Sequence, residues 1–418
     1  MSWPLRLRLA RQLGLLAGRA SRRAGRGDGS VIGGRVVLAV APEALRTLAR
    51  GRRVALVSGT NGKTTTTRLV AAAMERACDG QLVGGQRSVA SNASGANLPA
   101  GWVTALIEAP DATYAALEVD EKWLPYALRE TRADVVSLLN LSRDQLDRSA
   151  ETWMLADRWR TTLSTARVEV VANADDPLVA WAASTAERAV WVSVGQRWRW
   201  DSVCCPECAN QLTRADADWR CEACGLRRPT PSWHLAGTRL QGPDCESVDL
   251  RLRLPGPANR ANAAFAVATA TVLGVPVSRA LRGVGTVSSI AGRYRTVRRG
   301  HADVRLLLVK NPAGWLEVCD MLDAPPTPVA VALNARGPDG RDTSWLWDVD
   351  VDALRGRLVL VTGERALDVA VRLAAEDLPF RVVASLDEVV NHVPRGVVDV
   401  VANYTAFQTA RAELDHAA

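Results

Sequence analysis

The sequence lacks any apolar run approaching the roughly 20 residues that a membrane-spanning helix needs. It also lacks internal repeats, and its only compositional bias is towards arginine at the N-terminus. Arginines interrupt the apolar residues of that first segment and no clear cleavage site follows, which argues against a secretory signal. The 418 residues, 48% of them hydrophobic, predict a soluble cytoplasmic chain of two or three domains with a substantial core.

Acidic residues are absent from the first 26 positions, whose basic residues are Arg6, Arg8, Arg11, Arg19, Arg22, Arg23 and Arg26. This segment supplies much of the net charge of +7. Two interpretations stay open: a basic helix that contacts anionic lipid or nucleic acid, and a solvated helix face. Aromatic and basic residues are not interleaved as in a nucleic-acid groove, so we expect no nucleic-acid partner. A peripheral contact with the inner face of the plasma membrane remains a hypothesis.

A phosphate-binding loop is the most specific motif of the chain. An apolar run at residues 54–57 predicts a strand, a short glycine loop follows, and a helix is predicted from Lys63. The residues expected to bind nucleotide are Gly59, Thr60, Asn61, Gly62, Lys63, Thr64 and Thr65. Backbone N–H groups would bind the phosphates of ATP, Lys63 would reach the β and γ oxygens, and Thr64 would reach Mg²⁺. Val57 stands where the general pattern G-x-x-x-x-G-K-[ST] has its first glycine.

Strands and helices alternate for more than two hundred residues from Arg53 onward. The predicted strands of this region are residues 54–57, 114–119, 135–140, 168–173 and 190–194. Before them we predict a basic helix, a glycine-rich turn at 25–34, a strand at 36–40 and a helix opened by Pro42. The alternation predicts an α/β fold with a mainly parallel sheet and a ligand at the carboxyl ends of its strands.

Polar clusters follow several of these predicted strands. Glu118 ends the strand at 114–119, where a carboxylate can hold Mg²⁺ and place the γ-phosphate of ATP. A solvated acid is the alternative, because Asp120 and Glu121 lie beside it and not all three can be ligands. Asn173-Ala174-Asp175-Asp176 is an Asx-rich turn after another strand, and by itself predicts only a turn.

Two Cys-x-x-Cys pairs separated by twelve residues predict a tetrahedral zinc site. The expected ligands are Cys205, Cys208, Cys221 and Cys224, with Cys204 as the alternative first ligand. A structural zinc would stabilise an insertion, residues 202–228, that is too small for its own core. A redox pair and nucleic-acid binding are the competing interpretations.

Beyond the insertion, the stretch at residues 254–262 is predicted to open a long alanine-rich helix that runs to about Leu273, and a further α/β region follows Arg293. Its predicted strands are residues 304–309, 329–333, 358–362 and 397–402. We therefore divide the chain into an N-terminal lead-in at 1–50, a central ATP-binding domain at 51–296 with the zinc insertion, and a smaller C-terminal α/β domain at 297–418.

Five motifs in order resemble the Mur ligase family, the ATP-dependent enzymes that build peptidoglycan stem peptides. They are the variant phosphate loop from Gly59 to Thr65, Glu118, the stretch from Asn140 to Asp147, the turn from Asn173 to Asp176, and the helix start at Asn259 and Asn262, followed by a linker Arg293. The resemblance implies ATP and Mg²⁺ as cofactors and adds Asn259 and Arg293 to the nucleotide site.

The chain departs from the family at two positions. Gln145 stands where the family has a histidine, and Asp157 stands about where its carbamylated lysine aligns. The first 50 residues are too short for the family's uridine-nucleotide-binding domain.

The C-terminal segments at residues 309–315, 334–336, 339–350 and 403–406 resemble one subfamily, the MurT subunits of lipid II isoglutaminyl synthase. The resemblance implies a GatD-like class I glutaminase as partner and amidation of the α-carboxylate of D-glutamate in lipid II. It further implies that an acid of this chain completes the catalytic triad of the partner. Asp348 is the expected acid, with Asp342 and Asp350 as alternatives; a solvated loop or a helix cap is the other interpretation.

Two rival functions remain at this stage. A ligase of the same superfamily that joins an amino acid, as folylpolyglutamate synthase does, needs no second subunit. A zinc-ribbon ATPase acting on nucleic acid is compatible with the charge and the cysteines. No nucleophile elbow surrounds Cys78, Cys245 or Cys319, so ammonia for an amidation has to come from a partner or from solution.

Overall fold

The computed structural model describes residues 3–23, 31–75, 88–92, 95–143, 152–216, 218–243, 245–289, 294–339 and 341–416. These residues form two compact units. The first unit takes the described parts of 1–141, 152–254 and 258–288, and the second takes those of 142–151, 255–257 and 289–418. Among the helices that are described, none is long and apolar enough to cross a membrane.

The described strands of the first unit build a nine-stranded sheet in the order β11-β10-β9-β6-β5-β4-β1-β3-β2. Their bounds are β1 Arg53–Ser58, β2 Val89–Ser91, β3 Tyr114–Glu118, β4 Val135–Leu138, β5 Glu169–Asn173, β6 Arg188–Ser193, β9 Trp233–Ala236, β10 Arg239–Gly242 and β11 Cys245–Asp249. From β2 to β9 the neighbouring strands are parallel, and the β9-β10-β11 edge is antiparallel. The central strands are apolar on both faces because helices cover both sides of the sheet.

The helices of the first unit are α1 Leu5–Arg23, α2 Ile32–Val40, α3 Ala44–Ala49, α4 Lys63–Glu75, α5 Pro99–Glu108, α6 Leu124–Thr131, α7 Thr152–Leu163, α8 Pro177–Ala183, α9 Pro257–Val272 and α10 Val277–Val284. A separate hairpin of β7 Thr213–Ala215 and β8 Asp218–Arg220 belongs to the cysteine-rich insertion. Helix α4 starts directly after the loop 59–62 that follows β1, so the strand–loop–helix order predicted for phosphate binding is present.

The strand predicted at residues 36–40 is wrong, because these residues form the second half of helix α2. The reason is tertiary packing at glycines that the sequence suggested were part of a turn. A Cβ atom on Gly33 would lie 2.9 Å from the carbonyl oxygen of Gly14, and one on Gly34 would lie 1.8 Å from that of Ala100. Helix α2 therefore packs backbone to backbone against α1 and α5, and this contact overrides the strand preference of its valines.

The second unit is built on its own sheet, which in the described residues has six strands in the order β12-β13-β17-β14-β15-β16. Its elements are β12 Tyr294–Arg299, β13 Ala302–Leu308, α11 Pro312–Cys319, β14 Val329–Ala332, β15 Val359–Thr362, α12 Ala366–Ala374, β16 Arg381–Val382, α13 Leu386–His392, β17 Gly396–Ala402 and α14 Tyr404–His416. All neighbours except the β12-β13 hairpin are parallel. Apolar side chains fill a core on each face of the sheet.

The predicted α/β class with mainly parallel sheets is confirmed in both units. The strands predicted at 54–57, 114–119, 135–140, 168–173 and 190–194 correspond to β1, β3, β4, β5 and β6. Those predicted in the C-terminal region correspond to β13, β14, β15 and β17. The short strands β2 and β16, the β9-β10-β11 edge and strand β12 were not predicted.

Candidate active site and metal centre

The phosphate-binding loop connects β1 to α4, and its two glycines have backbone conformations that other residues rarely adopt. Gly59 has a φ of +141° and Gly62 a φ of +82°. The polar residues of the loop are buried: Thr60, Asn61, Lys63, Thr64 and Thr65 are each at most 4% exposed. The loop therefore presents a compact backbone at the carboxyl end of β1, where the first turn of α4 begins.

Asn140, at the end of β4, holds the loop in this shape. Its Oδ1 accepts a hydrogen bond from the backbone N–H of Asn61 at 2.9 Å, and its Nδ2 donates to the carbonyl of Asn61 at 3.2 Å. The N–H of Thr60 donates to the carbonyl of Asn140 at 2.9 Å. A Cβ atom at Gly59 would lie 3.0 Å from the Asn140 backbone, so this close approach requires glycine.

Lys63 forms a buried ion pair with Glu121, which the sequence analysis did not assign to the site. Lys63 Nζ lies 3.1 Å from Glu121 Oε2, and the two side chains are 5% and 11% exposed. The ammonium group also donates to the carbonyls of Gly59 and Thr60. The main-chain oxygen of Glu121 accepts from the Trp159 indole at 2.9 Å, which fixes the position of the acid. The only sequence signal for this role was the proximity of Glu121 to Glu118.

Glu118 ends β3 directly beside β1, in register with Val57, and is 2% exposed. This burial excludes the solvated alternative. Its Oε2 atom is buried and has no hydrogen-bond partner among the residues that the structure describes. Hydrogen bonds fix the backbone of Glu118 instead. Its N–H donates to Asn92 Oδ1, and its carbonyl accepts from Asn92 Nδ2 and, at 2.8 Å, from the Trp102 indole. A buried, unpaired carboxylate oxygen at this edge suits a hard cation such as Mg²⁺.

Helix α9 reaches the same loop with its first turns. Asn262 Oδ1 accepts a hydrogen bond from Thr66 Oγ at 3.2 Å, and a Cβ atom at Gly62 would lie 2.3 Å from it. Asn259, the residue expected to bind nucleotide, is half-buried one turn earlier on the same helix. Asn262 thus closes directly on the phosphate-binding loop.

The turn after β5 is a buried network of carboxylates. Asp176 Oδ1 caps α8 by accepting from the N–H groups of Leu178 and Val179, and its Oδ2 accepts from Leu141 N–H at 2.9 Å. Asp175 accepts from the N–H groups of Val194 and Gly195. Burial raises the pKa of Asp176 to about 6 even though these hydrogen bonds act in the opposite direction.

The raised pKa of Asp176 predicts a pH dependence of folding stability. Unfolding lowers its pKa from about 6 to its ordinary value of 3.8, so stability present below pH 4 is lost as the pH rises through 6. The variant Asp176→Asn has no carboxyl group at this position and therefore does not lose this stability. The difference in free energy of unfolding, variant minus native, is expected to rise by roughly 3 kcal/mol between pH 4 and pH 7.5. Denaturant unfolding of both proteins across this range measures the shift, and a constant difference would contradict it.

The four predicted zinc ligands come together in the insertion. The sulfur atoms of Cys205, Cys208, Cys221 and Cys224 all lie within 4.8 Å of one another. Two of the separations are 3.6 Å and 3.5 Å, close to the roughly 3.8 Å between sulfurs that each lie ~2.3 Å from a tetrahedral Zn²⁺. Each Cys-x-x-Cys turn is followed by a left-handed residue, Ala209 at φ +61° and Gly225 at φ +78°. Cys204 is exposed and lies outside this group, so the donor set fits a structural zinc ion without it.

The insertion is attached to the turn after β5. The Trp219 indole, 2% exposed, donates to the carbonyl of Ala174 at 3.0 Å. Arg228 forms an ion pair of 2.7 Å with Asp175 and also donates to Ser193 Oγ. Trp219 packs with Cys205 and Cys221 in a small apolar cluster, so the cysteine site and this turn share one side chain.

Loss of the cysteine site is expected to loosen this attachment. The variant Cys221→Ser should bind Zn²⁺ more than about 10²-fold more weakly. Substitutions of residues that merely support metal ligands already lower metal affinity by up to that factor, and Cys221 is itself an expected ligand. The buried Trp219 should then become exposed. Zinc content by elemental analysis and tryptophan fluorescence measure the two effects. The matched variant Cys204→Ser should keep its metal; equal metal loss in both variants would contradict the assigned ligand set.

In the second unit, the C-terminal motifs meet at the carboxyl ends of three adjacent strands. Asn311 follows β13, Asn334 follows β14, and Asn403 follows β17, which lies between them. Asn403 Oδ1 accepts from Asn334 N–H at 3.1 Å, and Asn403 Nδ2 donates to the Asn334 carbonyl. Asn311 caps α11 through Gly314 N–H. Asp339 accepts from Thr405 N–H at 2.8 Å, which joins two of the motifs.

The three candidate acids of this unit differ in what they bind. Asp342 accepts from the N–H of Ser344, and Asp350 accepts from that of Asp352, so both stabilise local turns. Asp348 instead lies 3.4 Å from Arg143, also in the second unit, and its side chain is 40% exposed. Beside it, Trp347 is 58% exposed and contacts Arg372. Of the three, Asp348 has a carboxylate that no local backbone turn occupies in the described structure.

Five residues named from the sequence lie outside the described residues: Arg26, Cys78, Gln145, Asp147 and Arg293. Asp157 is half-buried on α7. The predicted nucleotide and magnesium residues that are described thus lie at the carboxyl edge of the first sheet or on the helix that closes on it.

Comparison with known proteins defines the class. The family model of the Mur ligase middle domain matches residues 57–270, slightly more than half of the chain, and that of the MurT ligase C-terminal domain matches residues 308–407. The chain belongs to the Mur ligase family.

Solved structures agree at the level of the fold. A pseudomurein peptide ligase type C from Methanothermus fervidus has a TM-score of 0.67 at 16% identity, covering 87% of this chain and 78% of that one. MurF from Acinetobacter baumannii has a TM-score of 0.66 at 17% identity, with coverages of 91% and 80%.

Within the family, similarity to MurT subunits extends over most of the chain. It is 30% identical over 382 residues to the lipid II isoglutaminyl synthase (glutamine-hydrolyzing) subunit MurT of Streptococcus pneumoniae (strain ATCC BAA-255 / R6), covering 83% of this chain and 82% of that one. It is 28% identical over 402 residues to the protein of the same name from Staphylococcus aureus (strain N315), covering 90% and 89%. These relatives place the chain in the MurT branch.

Proposed function

We propose that this chain is the ligase subunit of a lipid II isoglutaminyl synthase. It would use ATP to amidate the α-carboxylate of D-glutamate in the lipid II stem peptide, at the cytoplasmic face of the membrane. The single observation that carries the proposal is the likeness to MurT subunits, which spans both units and includes the C-terminal match at 308–407. The buried phosphate-binding loop with Lys63 and Glu118 supports ATP chemistry.

The proposed reaction has two steps. The substrate carboxylate attacks the γ-phosphorus of ATP, which gives an acyl phosphate and ADP. Ammonia then attacks the acyl carbon, and phosphate leaves with the C–O bond electrons. Lys63 and the backbone of Gly59 to Thr65 would hold the phosphates, while Asn259 and Arg293 would contact the nucleotide. When bound, Mg²⁺ neutralises charge on the phosphate oxygens, and Thr64 and Glu118 are the residues that would hold it.

Ammonia would come from a partner, a class I glutaminase of the GatD type. Such an enzyme needs a cysteine nucleophile, a histidine base and an acid that orients the histidine. We propose that Asp348 supplies this acid to the partner, because it is exposed and neighbouring Asp342 and Asp350 are bound to local turns. The exposed Trp347 suits a protein interface. Zn²⁺ at the four cysteines would be structural.

The test is an amidation assay with lipid II, ATP, glutamine and a co-expressed glutaminase subunit. Mass spectrometry should show conversion of D-glutamate to D-isoglutamine, a loss of about 1 Da, with stoichiometric ADP. The assay should need the partner when glutamine is the donor and should not need it with ammonium. ATP turnover stimulated by another amino acid, without a second subunit, would instead support an amino-acid-adding ligase.

A further inference from the structure

Helix α1 packs on the first unit through a face of small residues. Its buried positions include Leu7, Ala10, Gly14 and Gly18. A Cβ atom on Gly14 would lie 2.7 Å from the carbonyl oxygen of Gly33 in α2, so the two helices touch at their backbones. This close contact fixes which side of α1 faces the protein and which side faces outward.

The outward side of α1 carries four large apolar side chains. Leu5 is 65% exposed, Leu9 56%, Leu13 50% and Leu16 59%. Their spacing of four, four and three residues places them on one face of the helix. A helix on the surface of a soluble protein normally turns its polar residues outward. Here the leucines point away from the protein, and we name these four residues the leucine face.

Arginines flank the leucine face on both sides. At about 100° per residue, the four leucines span roughly 80° of the circumference, Arg8 and Arg19 lie to one side, and Arg6 lies just beyond the other. Helix α1 contains no acidic residue. Arg6 donates through Nε to the carbonyl of Val40, the last residue of α2. Long arginine side chains can keep their charge in the headgroup layer while leucines enter the acyl boundary.

We propose that the leucine face of α1 docks on an anionic lipid bilayer. Exposed apolar residues flanked by arginines, without acids, are the signature of a helix that lies in the membrane interface. Charge complementarity favours anionic lipid over a neutral surface. Docking of α1 would bring the enzyme to a lipid-linked substrate, so the purpose assigned to it rests on the proposed function.

Sedimentation of the full chain with vesicles tests this proposal. Vesicles of phosphatidylcholine with about 30% phosphatidylglycerol, and vesicles of phosphatidylcholine alone, should be compared at low and high salt. The native protein should bind the anionic vesicles, and salt should weaken the binding. Leu9→Gln/Leu13→Gln should lower the partition coefficient at least tenfold. The matched variant Leu367→Gln/Val371→Gln, two exposed apolar residues four apart on α12, should bind as the native protein does.

Two outcomes would overturn the proposal. One is vesicle binding by Leu9→Gln/Leu13→Gln equal to that of the native protein. The other is a change of oligomeric state in this variant without vesicles, which would make the leucine face a protein interface. Since the vesicles contain no lipid II, the result is independent of the amidation assay. Amidation of a short-chain, water-soluble lipid II analogue should be unchanged in the variant, and this readout separates failure of docking from failure of the proposed function.

Discussion

Asp348→Asn is expected to abolish amidation with glutamine as donor and to spare amidation with free ammonium. Loss of the acid that orients a catalytic histidine lowers turnover by roughly 10⁴-fold in a comparable triad. The ligase reaction proposed for the first unit needs no such acid. Parallel assays with glutamine and with ammonium chloride, in the presence of the partner, measure the two rates. The ratio of the two rates is the diagnostic quantity, because a folding defect lowers both.

Two neighbouring acids provide matched controls for this variant. Asp342→Asn and Asp350→Asn each retain an Oδ1 acceptor, so the turns at Ser344 and Asp352 should persist. Both variants should keep glutamine-dependent activity near that of the native protein. If Asp350→Asn loses this activity and Asp348→Asn keeps it, the acid has been misassigned. If Asp348→Asn loses both activities, the residue serves folding or the ATP reaction.

Glu118→Gln is expected to lower both the glutamine-dependent and the ammonium-dependent rates, by on the order of 10²–10³-fold. The amide keeps the shape of the side chain but removes the negative charge that suits a divalent cation. Stability should respond differently. The buried Oε2 of Glu118 finds no hydrogen-bond partner in the described part of the chain, so the unfolding temperature should stay the same or rise. Steady-state rates over a Mg²⁺ titration and a thermal melt provide the two measurements.

Asp120→Asn is the control, because Asp120 lies two residues away and caps the short helical turn at Lys122. It is expected to cost at most about 1 kcal/mol of stability and to leave the rate nearly unchanged. A Glu118→Gln enzyme with native rates at all Mg²⁺ concentrations would refute the assigned role. A variant that melts much earlier than the native protein would show that the side chain serves the fold instead.

The features that could be read from the sequence are those encoded by adjacent residues. The loop from Gly59 to Thr65 follows its strand directly, and its glycines are dictated by local backbone conformation. The paired cysteines carry their own spacing, and this spacing already favoured Cys205, although setting aside the alternative Cys204 required the folded positions. Glu118 was identified as a strand-end acid, whereas its burial and its partners Asn92 and Trp102 depend on neighbouring elements.

Features that depend on distant contacts were missed. Residues 36–40 form a helix because glycines of α2 meet the backbones of α1 and α5, and local propensity does not contain that information. The hydrogen bonds of Asn140 to Asn61 cross between two adjacent strands. The attachment of Trp219 to Ala174 links an insertion to a turn 45 residues earlier. The apolar outward face of α1 became visible only when its buried face was known.

The buried pair of Lys63 and Glu121 has a consequence for the turnover of nucleotide. An ammonium group in this desolvated loop needs a negative partner at every stage of a cycle. Glu121 provides that charge at 3.1 Å. In the proposed reaction, arrival of ATP would exchange one anion for another, and the returning carboxylate would assist the departure of ADP. The loop would thereby give up some affinity for ATP and gain an exit route for the spent nucleotide.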